Sequence, residues 1–592
     1  LLDKHLKDFT ARNTFDYFIH KDLGGFLSRE LDFYIKNEVL QLDDVNPHAP
    51  QDFRKQLLKV QALREIGGKI ITFLAQLENF QKKLWLKKKF VVDTQYCITL
   101  DRIPEEFYPD IAANDAQREE WVRLFAINEI EADLTQPGYS EPLNVEFLKA
   151  QPFLVLDTAF FSEDFKLKLL AVFDNLDHSL DGLLVNSENF QALGFITPKY
   201  SRQIDCIYID PPYNTDATEI IYKNSYKHSS WLSLIEGRLN ISKELMAEAG
   251  IICVTIDDAE VSNLNLLLDQ IFLPESYLAT TPIRSKPQGR ASSAGFSTNH
   301  EYGLYYGNSH YSKVGRLPRE GKKLDRYSEK DELGIFAWSN FRKTGGDSTI
   351  NDRPKSFYPI WVNKETGKIR IPECKWDDSS SRWLVNEEKH NYEVEVLPID
   401  SEGNFRVWTL SITRANTVLN IDLISKISSD GSYQIYRKYR PNQEGTLPGT
   451  WWSDSKYSAS ESGTKVLQDI FGEKLFSFPK SIYAVKDALL AMNLGSQYSG
   501  MALDYFAGSG STGHAVINLN REDGGSRKYI LVEMGQYFDT VTKPRVQKVI
   551  YSADWKDGKP VGRQGSSHAF KYLRLESYED VLNNLHLKAT AD

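Results

Sequence analysis

The chain has 592 residues, of which 41% are hydrophobic and 26% are charged, and its formal net charge is −10. This composition is ordinary for a globular protein, and without a run of about 18 apolar residues we expect no membrane span. The cysteines, at 97, 206, 253 and 374, are too far apart in sequence to suggest a disulfide scaffold or a zinc site. No basic and apolar leader is visible, which favours a cytoplasmic protein.

The first 180 residues predict a helical and mixed region. RKQLLKVQALREIGGKIITFLAQLENFQKKLW, residues 54–85, has apolar residues at helical spacing. Residues 90–180 are mixed and acidic, and several prolines interrupt them. This region suggests no chemical role.

From about residue 181, strands alternate with helices. DGLLVNSENFQAL, residues 181–193, predicts a strand, a turn and a helix. QIDCIYIDPPYNT, residues 203–215, predicts an apolar strand that two prolines end. WLSLIEGRLNISKELMAEAG predicts an amphipathic helix that ends at Gly250, and IICVTIDDAE predicts another buried strand. Such alternation indicates an α/β domain with a mainly parallel sheet.

A long insertion interrupts this domain. From about 311 to 465 the sequence has short strands, aromatic residues and loops, and the alternation returns with MALDYFAGSGSTGHAVINL and RKYILVEMG. The tail HAFKYLRLESYEDVLNNL predicts a strand and a short helix. The stretch from Arg284 to Arg440 contains 26 Lys and Arg residues against 20 Asp and Glu residues, which favours a polyanionic partner for it. We therefore divide the chain into residues 1–180, 181–310, 311–465, 466–560 and 561–592.

FAGSGSTG, residues 506–513, is the first candidate for a ligand-binding loop. Gly508, Gly510 and Gly513 have the spacing of a dinucleotide-binding turn, and Glu533 ends the following strand-like run YILVE. Glycine lets the backbone approach a ligand closely, and the next helix offers free N–H groups to an anion. Glu533 could chelate the ribose hydroxyls of either NAD or S-adenosylmethionine, so this fingerprint alone leaves both cofactors open.

DPPY, residues 210–213, is the second candidate. Its prolines force the chain out of the sheet at the carboxyl end of a strand, where open α/β sheets bind ligands. Asp210 offers a carboxylate, Pro211 a backbone carbonyl and Tyr213 an aromatic face. Together they suit a nucleobase that has been rotated out of its stack and donates hydrogen bonds from an amino group.

DPPY together with Phe-x-Gly-x-Gly resembles the signature pair of amino-group DNA methyltransferases that use S-adenosylmethionine. The order DPPY, insertion, FxGxG is that of the family's β class. SSWLSLIEGRL, HEYGLYY, RPKSFYPIWV and RLESYEDVLNNL are similar to segments of the modification (Mod) subunits of type III restriction-modification systems. The resemblance covers residues 181–592. It implies a Rossmann-like α/β methyltransferase sheet with a circularly permuted motif order, a target-recognition domain at 311–465 and a helical N-terminal region.

The resemblance also implies roles for single residues, and it implies no metal. Asp210, Pro211, Pro212 and Tyr213 would hold the target base. The cofactor, whose product is S-adenosylhomocysteine, would contact Asp504, Phe506, Gly508, Gly510, Ser511, Thr512, Glu533, Phe478, Pro479, Lys480 and Glu188, with 478–480 near its methionine end. Ser511 stands where the family commonly has Thr, and it keeps a hydroxyl. Ser187-Glu188 stands where relatives often have Gly-Asp, so the match at Glu188 is weaker. Asp257 and Asp258 fit the family's IDD strand end, but acids that simply cap a strand would look the same.

The expected activity is methyl transfer to adenine N6 in double-stranded DNA; cytosine-N4 transfer is the alternative, although DPPY is more typical of adenine enzymes. The basic aromatic segment Tyr436–Arg440 suits groove and phosphate contacts. An NAD-dependent oxidoreductase would leave DPPY unexplained, and a recognition subunit without catalysis would leave both motifs unexplained. No Gly-x-x-x-x-Gly-Lys-Ser/Thr loop occurs, so we expect cleavage to reside in a separate restriction and helicase subunit. Type III relatives also imply a homodimer.

Overall fold

The structure is a computed structural model, and it describes residues 22–39, 50–133, 137–215, 228–289, 295–318, 327–332, 334–428, 430–440, 445–495, 498–577 and 580. The chain forms two compact units. The first combines Leu1–Arg316 with Leu447–Asp592, and the second is Leu317–Thr446, which is narrower than the predicted insertion. Among the described residues, no helix is long and apolar enough to cross a membrane, and no group of three or more His, Cys, Asp and Glu residues could hold a metal ion.

The strands are β1 (Val91–Thr99), β2 (Val155–Asp157), β3 (Gly182–Asn186), β4 (Ile204–Ile209), β5 (Met246–Ile256), β6 (Tyr277–Ile283), β7 (Glu301–Gly307), β8 (Glu329–Asp331), β9 (Gly334–Asn340), β10 (Ile360–Asn363), β11 (Ile369–Arg370), β12 (Cys374–Asp377), β13 (Arg382–Val385), β14 (Glu393–Val396), β15 (Leu423–Ile427), β16 (Tyr433–Tyr439), β17 (Met501–Asp504), β18 (Lys528–Glu533), β19 (Trp555–Lys556), β20 (Lys559–Pro560) and β21 (Ala569–Leu575). The α-helices are α1 (Leu23–Tyr34), α2 (Pro50–Leu86), α3 (Tyr108–Ala112), α4 (Asp115–Phe125), α5 (Val145–Ala150), α6 (Glu163–Leu170), α7 (Leu176–Ser179), α8 (Asn189–Tyr200), α9 (His228–Leu245), α10 (Val261–Phe272), α11 (Ile412–Asn416), α12 (Val466–Phe471), α13 (Ile482–Ala491), α14 (Ser511–Asp523) and α15 (Thr542–Tyr551).

A ten-stranded mixed sheet forms the core of the first unit, in the order β2-β1-β21-β3-β18-β17-β4-β5-β7-β6. Neighbouring strands from β21 to β5 are parallel. β7 runs antiparallel to β5 and β6, and β1 runs antiparallel to β2 and β21. The predicted α/β class with a mainly parallel sheet is confirmed.

The central strands are apolar because both of their faces are covered. In β4, Ile207 and Ile209 pack in one buried cluster with side chains of α8, α9 and α10. The adjacent Cys206 donates its thiol to the carbonyl of Met492, just after α13. A strand that is buried on both faces has no polar alternation, which is why the run CIYI, residues 206–209, is apolar on both sides.

β4 and β17, which carry the two predicted motifs at their carboxyl ends, are adjacent and parallel, with Leu503 opposite Ile207. From β17 the chain passes through α14 to β18 on one side, and from β4 it passes through α9 to β5 on the other side. Crossovers that leave in opposite directions open a crevice at the carboxyl ends of the two strands. DPPY and FAGSGSTG therefore meet at one edge of the sheet.

Helix α9 ends earlier than predicted. It stops at Leu245, and Gly250 lies inside β5, where the pairing with β4 changes register between Ile204 and Cys206. A Cβ on Gly250 would lie 3.0 Å from the carbonyl oxygens of Ala247 and Ile204. The prediction of a helix end at Gly250 was wrong because a glycine after an amphipathic run is typical of a helix C-terminus, whereas here it allows close backbone approach in a strand.

The N-terminal region joins the same sheet. Helix α1 packs on α2, which agrees with the predicted helix at 54–85, and β1 pairs with the tail strand β21. The short helix predicted after that strand falls largely outside the described residues. Along α2, several large apolar side chains are exposed, among them Ile66 and Phe73.

The second unit is built from small antiparallel sheets, of which the largest has the order β15-β16-β9-β8. Its core includes Phe341, Tyr358, Trp408 and Ile435. Because Ile435 points into this core, the neighbours Gln434 and Tyr436 in β16 lie on the opposite face of the sheet.

Candidate active site

A cavity of about 370 Å³ lies at the carboxyl ends of β4 and β17. Three segments supply most of its wall: part of 208–213 at the end of β4, 476–480 before α13, and part of 504–512 at the end of β17. The other lining residues are Thr215, Ser285, Lys286, Glu301 and Ala459. The fold thus brings both predicted motifs and the predicted segment 478–480 to one cavity.

Asp210 directly follows β4, and its two carboxylate oxygens have different surroundings. Oδ1 accepts a hydrogen bond from Oγ1 of Thr255 at 2.7 Å and lies 3.0 Å from Nζ of Lys480. No residue in the described part of the chain donates to Oδ2, or to the backbone carbonyl of Pro211. Two acceptors on the cavity wall are therefore open to the amino group of a ligand.

The DPPY loop is fixed from outside the cavity. Nε1 of Trp231 donates to the carbonyl of Pro212 at 2.8 Å. The fully buried Glu260 accepts a hydrogen bond from Asn214 at 2.6 Å and lies 2.7 Å from Nδ1 of His228. Asn214 has a φ of 59°, in the left-handed region that Asn tolerates better than most residues. These contacts hold the loop backbone in one conformation.

Lys480 lies between two carboxylates. Its Nζ is 3.0 Å from Oδ1 of Asp210 and 2.9 Å from Oε2 of Glu301, and it also donates to the hydroxyl of Tyr213. That hydroxyl donates to Oε2 of Glu301 at 3.0 Å. The Lys480 side chain is only 13% exposed, so solvent screens these ion pairs less than it would at the surface.

Burial and mutual charge shift the pKa values of three of these groups. Burial raises the pKa of Asp210; the Lys480 ammonium opposes this shift and the Glu301 carboxylate adds to it. Burial lowers the pKa of Lys480, but the two carboxylates outweigh this effect and raise it above its ordinary value. Burial, together with the same carboxylates, raises the pKa of Tyr213. At neutral pH Lys480 is therefore charged and Tyr213 is neutral.

The loop FAGSGSTG leads from β17 directly into α14. Gly508 and Gly510 have φ values of 52° and 82°, which glycine adopts without strain. Oγ1 of Thr542 donates to the carbonyl of Gly508 at 2.7 Å, and the N–H of Gly508 donates to Oε2 of Glu533 at 2.8 Å. The cavity wall includes the loop residues Phe506, Ala507, Gly508, Ser509, Ser511 and Thr512.

Asp504, the last residue of β17, also lines the cavity but is only 3% exposed. Its carboxylate accepts hydrogen bonds from the N–H of Phe506 at 3.0 Å and from Oγ1 of Thr512 at 2.5 Å. Burial raises the pKa of Asp504 to about 7, although both hydrogen bonds oppose the shift. A carboxyl group that titrates near neutral pH on a cavity wall suits the binding of a cationic ligand group.

Arg545, on α15, is fully buried behind the glycine loop. Its guanidinium donates to Oγ of Ser509 at 2.8 Å and to Oγ of Ser511 at 3.0 Å, and it lies 3.2 Å from Nδ1 of His514. Burial lowers the pKa of Arg545 to about 9. Within the described ranges no carboxylate lies at ion-pair distance from it, so the positive charge favours an anionic ligand group beside the two serines.

The segment 476–480 supplies another part of the cavity wall. Phe478 is 53% exposed and has a φ of 59°, a strained conformation for an aromatic residue. A Cβ on Gly463 would lie 2.3 Å from the carbonyl oxygen of Pro479, so only glycine permits this contact. Phe476 packs edge-on against Tyr537, with ring centroids 5.0 Å apart.

Among the predicted cofactor residues, the carboxylates of Glu533 and Glu188 do not line the cavity. The carboxylate of Glu533 is 2% exposed and accepts the N–H groups of Gly508 and Gly535, each at 2.8 Å. Glu188 caps α8 and forms an ion pair with Arg238. Both carboxylates therefore hold the backbone or a neighbouring helix.

The other predicted residues outside the wall have similar local contacts. Gly510 caps α14 and turns the loop. Asp257 accepts a hydrogen bond from the N–H of Ala259 at 3.1 Å, and Asp258 accepts one from the hydroxyl of Tyr302 at 2.8 Å. These local contacts are the ones expected if Asp257 and Asp258 only cap the end of β5.

Sequence reasoning missed Glu301, Thr255 and Arg545. Glu301 is the second residue of the predicted strand HEYGLYY, and an acid near the start of a largely apolar strand is a local signal of a functional residue. Thr255 and Arg545 stand in ordinary strand and helix patterns that give no such signal.

Comparison with known proteins places this site in a family. The N6/N4 methyltransferase family model, described as DNA methylase, matches residues 204–543. The EcoPI Mod subunit of a type III restriction-modification enzyme, from Escherichia phage P1, is 29% identical over 417 residues, covering 62% of this chain and 62% of that protein. The type II methyltransferase M.KpnI from Klebsiella pneumoniae is 31% identical over 380 residues, covering 62% of this chain and 84% of that protein. The chain thus spans less than two thirds of the length of the EcoPI relative.

Among solved structures, the crystal structure of the M1.HpyAVI–SAM complex matches 62% of this chain and 98% of that chain, with 11% identity and a TM-score of 0.29. The family match includes DPPY and the glycine loop, together with the strands that hold them. Because this match extends over more than half of its length, the chain belongs to the DNA methylase family of N6 and N4 methyltransferases.

Proposed function

We propose that this chain is a site-specific DNA methyltransferase that transfers a methyl group from S-adenosylmethionine to N6 of an adenine in double-stranded DNA. The observation that carries the proposal is the pair of open acceptors, Oδ2 of Asp210 and the carbonyl of Pro211, in a cavity that continues to the glycine loop. An amino group has two N–H donors, and each acceptor can take one. Tyr213 offers an aromatic face to the ring of a flipped base.

The residues around the glycine loop fit S-adenosylmethionine. Phe506 offers an aromatic face, and the glycines let the backbone come close to a ligand. The positive charge of Arg545 and the N-terminus of α14 suit the carboxylate of the cofactor, and Asp504 suits its amino group. When bound, the cofactor supplies an electrophilic methyl group on a sulfonium sulfur.

Asp210 and Pro211 act by orienting the nucleophile. By accepting both N–H bonds, they turn the nitrogen lone pair toward the glycine loop. With the cofactor bound, the methyl carbon would join the nitrogen as its bond to sulfur breaks, and Oδ2 of Asp210, which already accepts that hydrogen, would take the proton that the nitrogen releases. Lys480 at Oδ1 stabilises the carboxylate until then. Positioning supplies most of the rate, and no base is required before the transfer.

The second unit is the proposed target-recognition domain. On the outer face of its largest sheet, Nζ of Lys426 lies 5.3 Å from the ring centroids of both Trp338 and Tyr436. Beside them, the amide of Asn340 donates to the amide oxygen of Gln434 at 2.9 Å. Lysine, aromatic and amide side chains are the ones that contact phosphates and base edges, so this face is the proposed DNA-reading surface.

Two cations of the segment Tyr436–Arg440 already have partners inside the unit. Nζ of Lys438 lies 2.9 Å and the guanidinium of Arg440 2.6 Å from the carboxylate of Asp331. Phosphate binding by either would have to compete with this pair. The exposed Lys426 is therefore the stronger candidate for a DNA contact.

Similarity to a type III Mod subunit supports a role as the modification component of a restriction-modification or phage-defence system. We propose a homodimer and a separate restriction and helicase subunit as its partners. Because its substrate is DNA, we also propose that the protein acts in the cytoplasm. Exposed apolar side chains on α2 form a candidate surface for binding a protein partner. They are Ile66, Ile70, Phe73, Leu77 and Phe80.

Modified-base sequencing of DNA from cells that express this chain tests the proposal. We expect N6-methyladenine at one recurring sequence, and none in cells that express Asp210→Ala. Unmodified DNA with the wild-type chain, or N4-methylcytosine in place of N6-methyladenine, would contradict the proposal. The same data show whether one or both strands are modified.

A further inference from the structure

A second depression, of about 610 Å³, adjoins the active-site cavity. It shares Lys286, Ala459 and Phe478 with that cavity, so the two spaces lie side by side. Its other lining residues are Ser460, Thr464, Lys465, Gln468, Asp469 and Lys474. We call this depression the mouth groove.

The mouth groove is positively charged. Three lysines line it against one carboxylate, that of Asp469. Lys474 forms no ion pair among the described residues, and Lys465 lies 3.9 Å from Glu461 in an exposed pair, which contributes little. Lys286 lies over the ring of Phe478, with Nζ 5.4 Å from its centroid. Cationic charge and hydroxyl groups in one groove suit a phosphate-bearing ligand.

The backbone around the groove is strained in two places. Phe478 holds a left-handed φ of 59° although its ring is half exposed and fills no core position. Ser460–Lys465 forms a π-helical turn, and within it Gly463 packs against the carbonyl of Pro479. π-Helical turns and left-handed non-glycine residues are both enriched at functional sites, because strain persists where function requires it.

A flipped nucleotide stays covalently bonded to the phosphates on either side of it, so those phosphates must lie at the mouth of any cavity that takes its base. We propose that the mouth groove binds the phosphodiester backbone of the DNA strand next to the flipped nucleotide, through Lys465, Lys474 and Lys286. Thr464 and Ser460 supply hydroxyl donors. This inference rests on the proposed function, because it assumes a base in the cavity.

Exposed lysines allow a direct test. Lys465→Gln, Lys474→Gln and the double variant remove charge without touching the cavity, and Lys556→Gln, at an exposed lysine in β19, is the matched control. The probe is a duplex with the sequence found by modified-base sequencing, carrying 2-aminopurine in place of the target adenine. Its affinity and fluorescence are measured between about 0.05 and 0.2 M salt, and the affinity for S-adenosylmethionine is measured separately by calorimetry.

Each groove substitution should weaken duplex binding about eightfold near 0.1 M salt and reduce the slope of log K against log salt by about 0.9. The rise in 2-aminopurine fluorescence should fall in parallel, while cofactor affinity stays within about twofold and the control variant matches the wild type. An unchanged salt slope in the double variant would overturn the inference. A variant that loses affinity for S-adenosylmethionine but not for the duplex would overturn it as well. Failure of the proposed function can be told apart from failure of this inference, because in the first case the wild-type chain would leave DNA unmethylated.

Discussion

Nζ of Lys480 lies 3.0 Å from Oδ1 of Asp210, on the side of the carboxylate that faces away from the open Oδ2. The resemblance implied a place for Lys480 near the methionine end of the cofactor, and the fold also brings it against Asp210, the proposed base-binding residue. Glu301 on the other side of the ammonium makes the group a row of alternating charges. This row fixes which oxygen of Asp210 remains available to a substrate.

Replacing Asp210 should separate binding from catalysis. In Asp210→Ala the amino group loses one of its two acceptors, so we expect methyl transfer to fall at least about a thousandfold, while cofactor affinity changes less than about threefold. Single-turnover transfer of a labelled methyl group and calorimetry measure the two quantities. Near-normal turnover would remove Asp210 from the mechanism.

Glu301→Gln should change both the rate and its pH dependence. The charge of Glu301 raises the pKa of Asp210, so its loss allows Asp210 to ionise at lower pH. We expect methyl transfer to slow by about tenfold or more, and the acid limb of the pH–rate profile to move toward lower pH. A slower enzyme with an unmoved acid limb would indicate a purely structural role for Glu301.

Asp504 should make cofactor binding depend on pH near neutrality. Its pKa of about 7 in the free protein means that many molecules carry a protonated Asp504 below that pH. Because the ionised carboxylate favours a cationic ligand group, affinity for S-adenosylmethionine should rise by up to about tenfold per pH unit below pH 7 and then level off. Calorimetry from about pH 5.5 to 8.5 tests this, with Asp504→Asn as the comparison. The variant should bind more weakly and with a flat profile; an equal slope in both proteins would exclude Asp504 as the titrating group.

Arg545 should matter for the cofactor more than for DNA. Arg545→Met removes the charge and the hydrogen bonds to Ser509 and Ser511, so we expect cofactor affinity to fall about tenfold or more. Arg545→Lys keeps the charge and should recover part of the loss. Thermal melting separates this effect from unfolding, and duplex affinity measured without cofactor should stay within about twofold. Weaker duplex binding with normal cofactor affinity would contradict this role.

The outer face of the second unit should govern DNA binding. Trp338→Ala and Lys426→Gln should each weaken binding of the methylated sequence about five- to tenfold and leave cofactor affinity unchanged. Lys389→Gln, at an exposed lysine of the same unit, is the control. Exchanging residues 317–446 for the corresponding segment of a relative should change the methylated sequence. An unchanged sequence after the exchange would reject the recognition role.

Much of this arrangement could be read from local patterns. The apolar runs IDCIYI and KYILVE and the Gly508-x-Gly510 turn depend on neighbouring residues, since period, turn geometry and strand ends are short-range properties. For the same reason the end of α9 was misplaced: the sequence around Gly250 fits a helix stop, and only pairing with β4 decides otherwise.

The sequence by itself determined the fold class, the two motifs and their places at strand ends, because each is encoded in a few consecutive residues. Only the tertiary structure decided that Lys480 and Glu301 flank Asp210, that Arg545 lies behind the glycine loop, and that Glu188 is engaged with Arg238 rather than with the cavity. These relationships join residues from distant segments, and their energies depend on burial and distance, which no local pattern specifies.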